Sequence, residues 1–151
     1  MDHVQSPETP TDPTIDELGT ELRMAVGRLY RRLRAERADD QLGDTHSAVL
    51  GRLVKEGPQT LRQLSDHERV TPPSMNQTVN WLATAGYVVR EADPSDGRKV
   101  LVTPTPTGTA LALETRRRRH AWLNARLQML SPPERQTLLA AARVLRGIAD
   151  D

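Results

Sequence analysis

The sequence contains no cysteine. That absence removes disulfides, thiolate nucleophiles, thiol redox sensing and cysteine-based zinc sites together. Phe is also missing, and aromatic residues make up only 3% of the 151, with two Trp and two Tyr. A core must therefore come from Leu, Val, Ile, Ala and Met, a palette that favours helices. Neither sign of charge prevails: 21 Lys and Arg stand against 20 Asp and Glu, a net charge of +1. A uniformly basic coat is excluded, so any phosphate contact must arise from local clustering.

No long apolar run is present either. The longest uncharged stretch, 70–89, holds Pro72, Pro73, Asn76, Gln77 and Asn80 and is far too polar to span a membrane. Residues 1–13 carry three Pro and three acidic groups with no basic, apolar signal core, and read as a loose tail. The expectation is a cytoplasmic protein without a membrane partner. The four His are scattered without the i, i+4 spacing of a metal site, and no Gly-rich phosphate loop, Ser-x-x-Lys or Gly-x-Ser-x-Gly elbow occurs. That inventory argues against an enzyme and calls for no cofactor or metal.

What is present is helical periodicity. Ile15, Leu18, Leu22, Val26, Leu29 and Leu33 recur in steps of three and four, behind a capping box made by Thr14 and Glu17. This predicts a helix from 14 to about 37, longer than a small lobe needs. A second helix presents Val49, Leu50, Leu53 and Val54 on one face and stops at Gly57-Pro58. Thr60 and Gln63 form another capping box, opening a short helix with Leu61 and Leu64 inward. Thr71-Pro72 starts a helix that runs to about 85, buries Met75, Val79 and Leu82, and ends at Gly86. The β-rich runs 87–90 and 99–102 bracket Asp93-Pro94-Ser95-Asp96-Gly97 and read as a hairpin with a polar tip. Three helices followed by a hairpin give the order of a winged helix-turn-helix. After Thr105-Pro106 a helical pattern runs through Leu111, Trp122, Ala125 and Met129 on one stripe and Leu123, Leu127 and Leu130 on another. Ser131-Pro132-Pro133-Glu134 then starts a last helix bearing Leu138, Leu139, Ala142, Leu145 and Ile148.

Three stretches carry a resemblance. Leu82-Ala83-Thr84-Ala85-Gly86-Tyr87-Val88 is similar to the step from recognition helix to wing in the MarR family of bacterial transcription regulators. Asp93-Pro94-Ser95-Asp96-Gly97-Arg98 is similar to that family's wing motif, Asp-Pro-x-Asp followed by two Arg, with Gly97 in place of the first Arg. Thr105-Pro106-Thr107-Gly108 is similar to the Thr-x-x-Gly that opens the long helix behind the wing. The expected fold is mostly α with a small β-hairpin wing, a winged helix-turn-helix flanked by N- and C-terminal dimerisation helices. Its expected parts are the tail at 1–13, a dimerisation helix at 14–43, a DNA-binding lobe at 44–104 and dimerisation helices at 105–151.

The resemblance implies a homodimeric, sequence-specific regulator of double-stranded DNA, most simply a repressor, bound to a pseudo-palindromic operator. With Met75, Val79 and Leu82 inward, a period of 3.6 puts Pro73, Gln77, Asn80, Trp81 and Thr84 on the opposite face, flanked by Ser74 and Asn76. Amides there can pair with adenine edges in the major groove, and the hydroxyls of Ser74 and Thr71 can hold phosphates. Asp96 would orient Arg98 into the minor groove beside Lys99, and Thr60 and Arg62 could reach the backbone. From 71 to 85 there is no Lys or Arg, so a modest affinity with a shallow salt dependence is expected.

Four consecutive Arg, 116–119, turn by about 100° each on a helix and so do not share one phosphate-binding face. They read as a solvated, ion-paired region. Arg28, Tyr30 and His46 are the candidates to line a pocket for a small aromatic anion, in which the Arg would meet a carboxylate and the rings a flat apolar body. The alternative is a winged-helix module that binds a protein partner or a small ligand without specific DNA binding. Salt-dependent binding to a duplex separates the two.

Overall fold

The structure, a computed structural model, describes residues 12–150. The expected tail at 1–13 lies outside the described residues except for its last two positions. The chain divides into two units at Arg32/Leu33. The first is represented by most of helix α1 (Ile15–Ala35), which ends two residues earlier than expected. Its start is the predicted capping box: Thr14 N and Oγ1 donate to Glu17 Oε2 at 2.9 and 2.8 Å, and Glu17 N donates back to Thr14 Oγ1. No residue of α1 is buried, and Ile15, Leu18, Val26 and Leu29 are all exposed.

The second unit contains α2 (Asp44–Glu56), β1 (Gln59–Thr60), α3 (Leu61–Glu68), α4 (Pro72–Thr84), β2 (Val88–Ala92), β3 (Val100–Pro104), α5 (Pro106–Leu127) and α6 (Pro132–Asp150). Helices α3 to α6 start where polar caps satisfy the first free N–H groups, whereas α2 starts at Gly43 without a side-chain cap. Gln63 N donates to Thr60 Oγ1 at 3.2 Å, while Thr60 N donates to Gln63 Oε1 at 2.9 Å. Thr71 caps α4 with Pro72 behind it, and Ser131 and Glu134 repeat the capping box at α6. Gly57, at φ 88°, ends α2, and Gly86, at φ 80°, turns the chain out of α4.

The sheet has three antiparallel strands in the order β1-β3-β2. Sequence reasoning expected only the hairpin. It missed β1, because two residues between a Gly-Pro stop and a helix cap carry no periodicity of their own. The hairpin strands are also displaced by one or two residues from the runs expected.

The core gathers Val49, Leu50 and Leu53 from α2, Leu64 from α3, and Met75, Val79 and Leu82 from α4, closed by Val88 and Val102 of the sheet. Leu42, in the loop before α2, is buried among them and was not anticipated. Truncating one of the fully buried Leu to Ala costs about 2–5 kcal/mol.

Behind the wing, Thr105 joins three segments. Its N donates to Tyr87 O at 3.0 Å, its Oγ1 donates to Gly86 O at 2.6 Å, and it accepts from Gly108 N at 3.0 Å. A Cβ at Gly108 would lie 2.0 Å from Tyr87 O, so this crossing admits only glycine. Tyr87 also donates its hydroxyl to Asp39 Oδ2 at 2.8 Å. Helix α5 ends at Leu127, three residues before the end of its predicted pattern, and Met129 is exposed. Helix α6 has no buried residue, and Leu138, Leu139, Val144 and Ile148 stand out from it.

Candidate nucleic-acid interface

Helix α4 buries Met75, Val79 and Leu82, spaced i, i+4 and i+7, and thereby turns its other side outward. Pro73, Ser74, Asn76, Gln77, Asn80 and Thr84 are exposed. Thr71 and Ser74 are joined to each other, Thr71 Oγ1 donating to Ser74 Oγ at 3.0 Å while capping the helix. Trp81 departs from the expectation. It is half-buried against the core, 4.4 Å from the His46 ring and 6.3 Å from Tyr87. Its large apolar surface outweighs the helical angle that would have turned it outward.

The strongest polar feature of this face comes from outside the helix. In a strand, residues i and i+2 share a face, so the burial of Val88 against α4 places Arg90 on the same side, one step beyond the core. Arg90 Nη1 donates to Asn80 Oδ1 and Nη2 to Asn76 Oδ1, both at 2.7 Å. One guanidinium thus spans the i, i+4 pair of amides nominated for base readout. Sequence reasoning missed it, although the step of two from Val88 was available to find it.

At the wing tip, Asp93 Oδ1 accepts from Ser95 N and Oγ at 2.9 and 2.7 Å. Those bonds hold the Asp93 carboxyl below its ordinary pKa, with Lys99 adding a smaller electrostatic effect. Asp96 Oδ1 accepts from Arg98 N at 3.2 Å and Arg98 Nε at 3.3 Å, while the Arg98 side chain remains 93% exposed. Lys99 projects into solvent, and its N donates to Asp96 O at 2.9 Å. Gly97 has open space around the position of a Cβ and no positive φ, so nothing in the turn demands glycine there. Thr60 is engaged as a cap, and Arg62 is exposed, 3.9 Å from Asp66.

The candidate ligand residues are placed as follows. Arg28 and Tyr30 are exposed on α1, and Arg28 borders a shallow groove with Arg23, Met24, Gly27 and Arg31. His46 is packed on Trp81, and burial lowers its pKa. A cavity of about 580 Å³ lies elsewhere, between α2 and α5, and none of these three lines it. Its wall includes Leu50, Val54 and Leu113 with Lys55, Arg116, Arg119 and His120, and no carboxylate.

The Arg run divides as helical geometry requires. Arg117 and Arg118 both donate to Glu114, at 2.8 and 2.9 Å, and hold its carboxyl down at about 2. Arg119 turns inward to Leu33 O and Ser47 Oγ, and both it and Arg116 line the cavity.

Residues 40–99, the span from the loop before α2 through the wing tip, match the sequence profile of the MarR family. An HTH-type transcriptional regulator of Mycobacterium bovis is 37% identical over 134 residues, covering 89% of this chain and 94% of that protein. The chain belongs to the MarR family of transcriptional regulators. Among solved structures, a MarR family protein from Bacillus stearothermophilus is similar in fold, with a TM-score of 0.81 at 21% identity, covering 95% of this chain and all of that one. BpsR of Bordetella bronchiseptica, whose DNA binding is regulated by 6-hydroxynicotinic acid, superposes with a TM-score of 0.69 at 25% identity, covering 97% of this chain and 99% of its own. In MarR terms α4 is the recognition helix and the β2–β3 hairpin the wing. The protein is thus a winged-helix, DNA-binding regulator and not an enzyme. Among the described residues no helix is long and apolar enough to cross a membrane, and no cluster of His, Asp and Glu could hold a metal.

Proposed function

We propose that the protein works as a homodimeric repressor of a pseudo-palindromic operator in the cytoplasm, released by a small aromatic anion. The observation that carries this reading is the exposed, uncharged amide face of α4 bordered by Arg90 and by the Asp96-held Arg98. An outward face of Asn and Gln suits base edges in the major groove, and an exposed cation beside it suits the adjoining minor groove. Gln77, Asn76 and Asn80 would read bases, with Arg98 at the flank and Thr60, Arg62, Thr71, Pro73, Ser74 and Lys99 along the backbone.

The exposed apolar stripes of α1 and α6 support pairing with a second copy, since surfaces of this kind mark interaction sites. Two-fold pairing sets the recognition helices roughly 34 Å apart, one turn of duplex. Occupying a promoter blocks access sterically and needs no further contact, which favours repression. The cavity between α2 and α5 replaces the pocket expected at Arg28, Tyr30 and His46: its apolar wall and cations, with no carboxylate, suit a flat carboxylate ligand.

The test is binding to duplexes selected from a random pool, measured against salt. Symmetric half-sites one turn apart and weaker binding as salt rises are expected. A pool that returns no enriched sequence overturns the reading in favour of a protein-binding or ligand-binding winged helix.

A further inference from the structure

We infer that Arg90 is a specificity-determining residue, and that the Asn76–Arg90–Asn80 clamp makes this recognition helix a reader of guanine rather than adenine. The inference rests on the DNA-binding reading above and names the base that reading leaves open. An Asn that pairs with adenine must offer Oδ1 to the base amino group and Nδ2 to N7 at once. Here both Oδ1 atoms are turned to the Arg90 guanidinium at 2.7 Å, so the amides are fixed with their Nδ2 donors outward. Two of the five guanidinium N–H groups serve the clamp, which leaves three.

Each Oδ1 spends one of its two lone pairs on Arg90, so the patch presents an excess of donors on a surface open to solvent. Guanine offers two adjacent acceptors, N7 and O6, in the major groove and meets it fully. The amino groups of adenine and cytosine would meet mostly donors, next to a fixed positive charge, and are disfavoured. The clamp also restores positive charge to a helix that has no Lys or Arg of its own between 71 and 85.

The clamp is anchored by geometry that the fold already requires. Val88 is buried and pairs with Pro104 across the hairpin, while Arg90 pairs with the buried Val102. The register that closes the core thus sets the position of the guanidinium relative to α4. Asn76 and Asn80 act on specificity by positioning it and by the Nδ2 donors they leave outward.

The experiment is parallel selection from a random duplex pool by the wild type, Arg90→Met and Asn76→Ala/Asn80→Ala, with thermal unfolding as a check on folding. The wild type should select half-sites with a guanine preferred over adenine by about 5- to 150-fold at one position, the range given by one bidentate pair. Arg90→Met should lose that preference while keeping the rest of the half-site. The double Asn variant should weaken the preference with an unchanged salt slope, because the charge is retained. If Arg90→Met binds more weakly but selects the same half-site, or if the wild type selects adenine there, the clamp inference fails while the operator reading stands. If the wild type selects nothing, both fail.

Discussion

Gly108→Ala is the substitution whose outcome the structure constrains most closely. The added Cβ would sit 2.0 Å from Tyr87 O and 2.8 Å from Tyr87 C, both backbone atoms that cannot rotate away. The start of α5 must therefore move off the step between α4 and the wing. Overpacking of this kind costs about 1–3 kcal/mol. The displacement also loosens the bonds from Thr105 N to Tyr87 O and from Thr105 Oγ1 to Gly86 O, at about 0.5–1.5 kcal/mol each. Replacing a helical Gly by Ala returns at most about 1 kcal/mol. The net loss is about 1–6 kcal/mol, and at about 2–4 °C per kcal/mol for a chain of this length the Tm should fall by about 2–24 °C. Thermal unfolding by circular dichroism at fixed protomer concentration is the assay, since association would otherwise shift the midpoint. Gly97→Ala is the control, because a Cβ there meets nothing within 4 Å. Equal midpoints for the two variants would refute the argument that this crossing demands glycine.

Gly97→Arg should tighten duplex binding and steepen its log–log salt dependence by about 0.9 for each added phosphate contact, read by fluorescence anisotropy from 50 to 200 mM salt; an unchanged slope removes the wing from the interface. Glu114→Gln should lower the Tm at pH 7 but leave it equal to wild type near pH 2. The folded-state pKa, about 2, is depressed from 4.5 by Arg117 and Arg118, so its stabilisation is present above 4.5 and lost as pH falls through 2. Light scattering at micromolar concentration should give a dimer, and a folded monomer contradicts the pairing assigned to α1 and α6. Titrating salicylate into the protein–duplex complex should release DNA, with Arg116→Ala and Lys55→Ala needing more ligand; identical titrations would empty the α2–α5 cavity of its proposed role.

The helical part of this fold was legible because its signals are local. Thr14, Thr60, Thr71, Thr105 and Ser131 each sit one residue before a helix, and the inward triplet Met75, Val79 and Leu82 follows from period alone. What was not legible depends on partners distant in sequence. Strand β1 exists because Gln59 and Thr60 meet Val102 and Leu101, more than forty positions away, and no property of the dipeptide announces it. Leu42 is buried because the loop before α2 carries it into the cluster formed by α2, α3, α4 and the sheet. Trp81 sits at an outward angle of the wheel yet folds against His46 and Tyr87, where tertiary packing overrides period. The same override packs His46 on Trp81, and the cavity forms between α2 and α5 without His46 in its lining.

The readout face shows the same division in chemical terms. Residue types on one helix could be read as an uncharged surface of amides, and on that basis adenine was the natural expectation. Hydrogen-bond direction, however, is a property of pairs, and the partner lies on another element. Arg90 is ten residues from Asn80 and fourteen from Asn76, beyond any helical or strand period, and it reaches them only because β2 packs its Val88 face on α4. Once that contact exists, the two amides lose their freedom to flip, and a helix that looks neutral in sequence acquires a fixed charge and a fixed set of donors. The absence of Lys and Arg from α4 therefore does not describe the surface proposed to meet DNA, because that surface is assembled from the helix and the strand together.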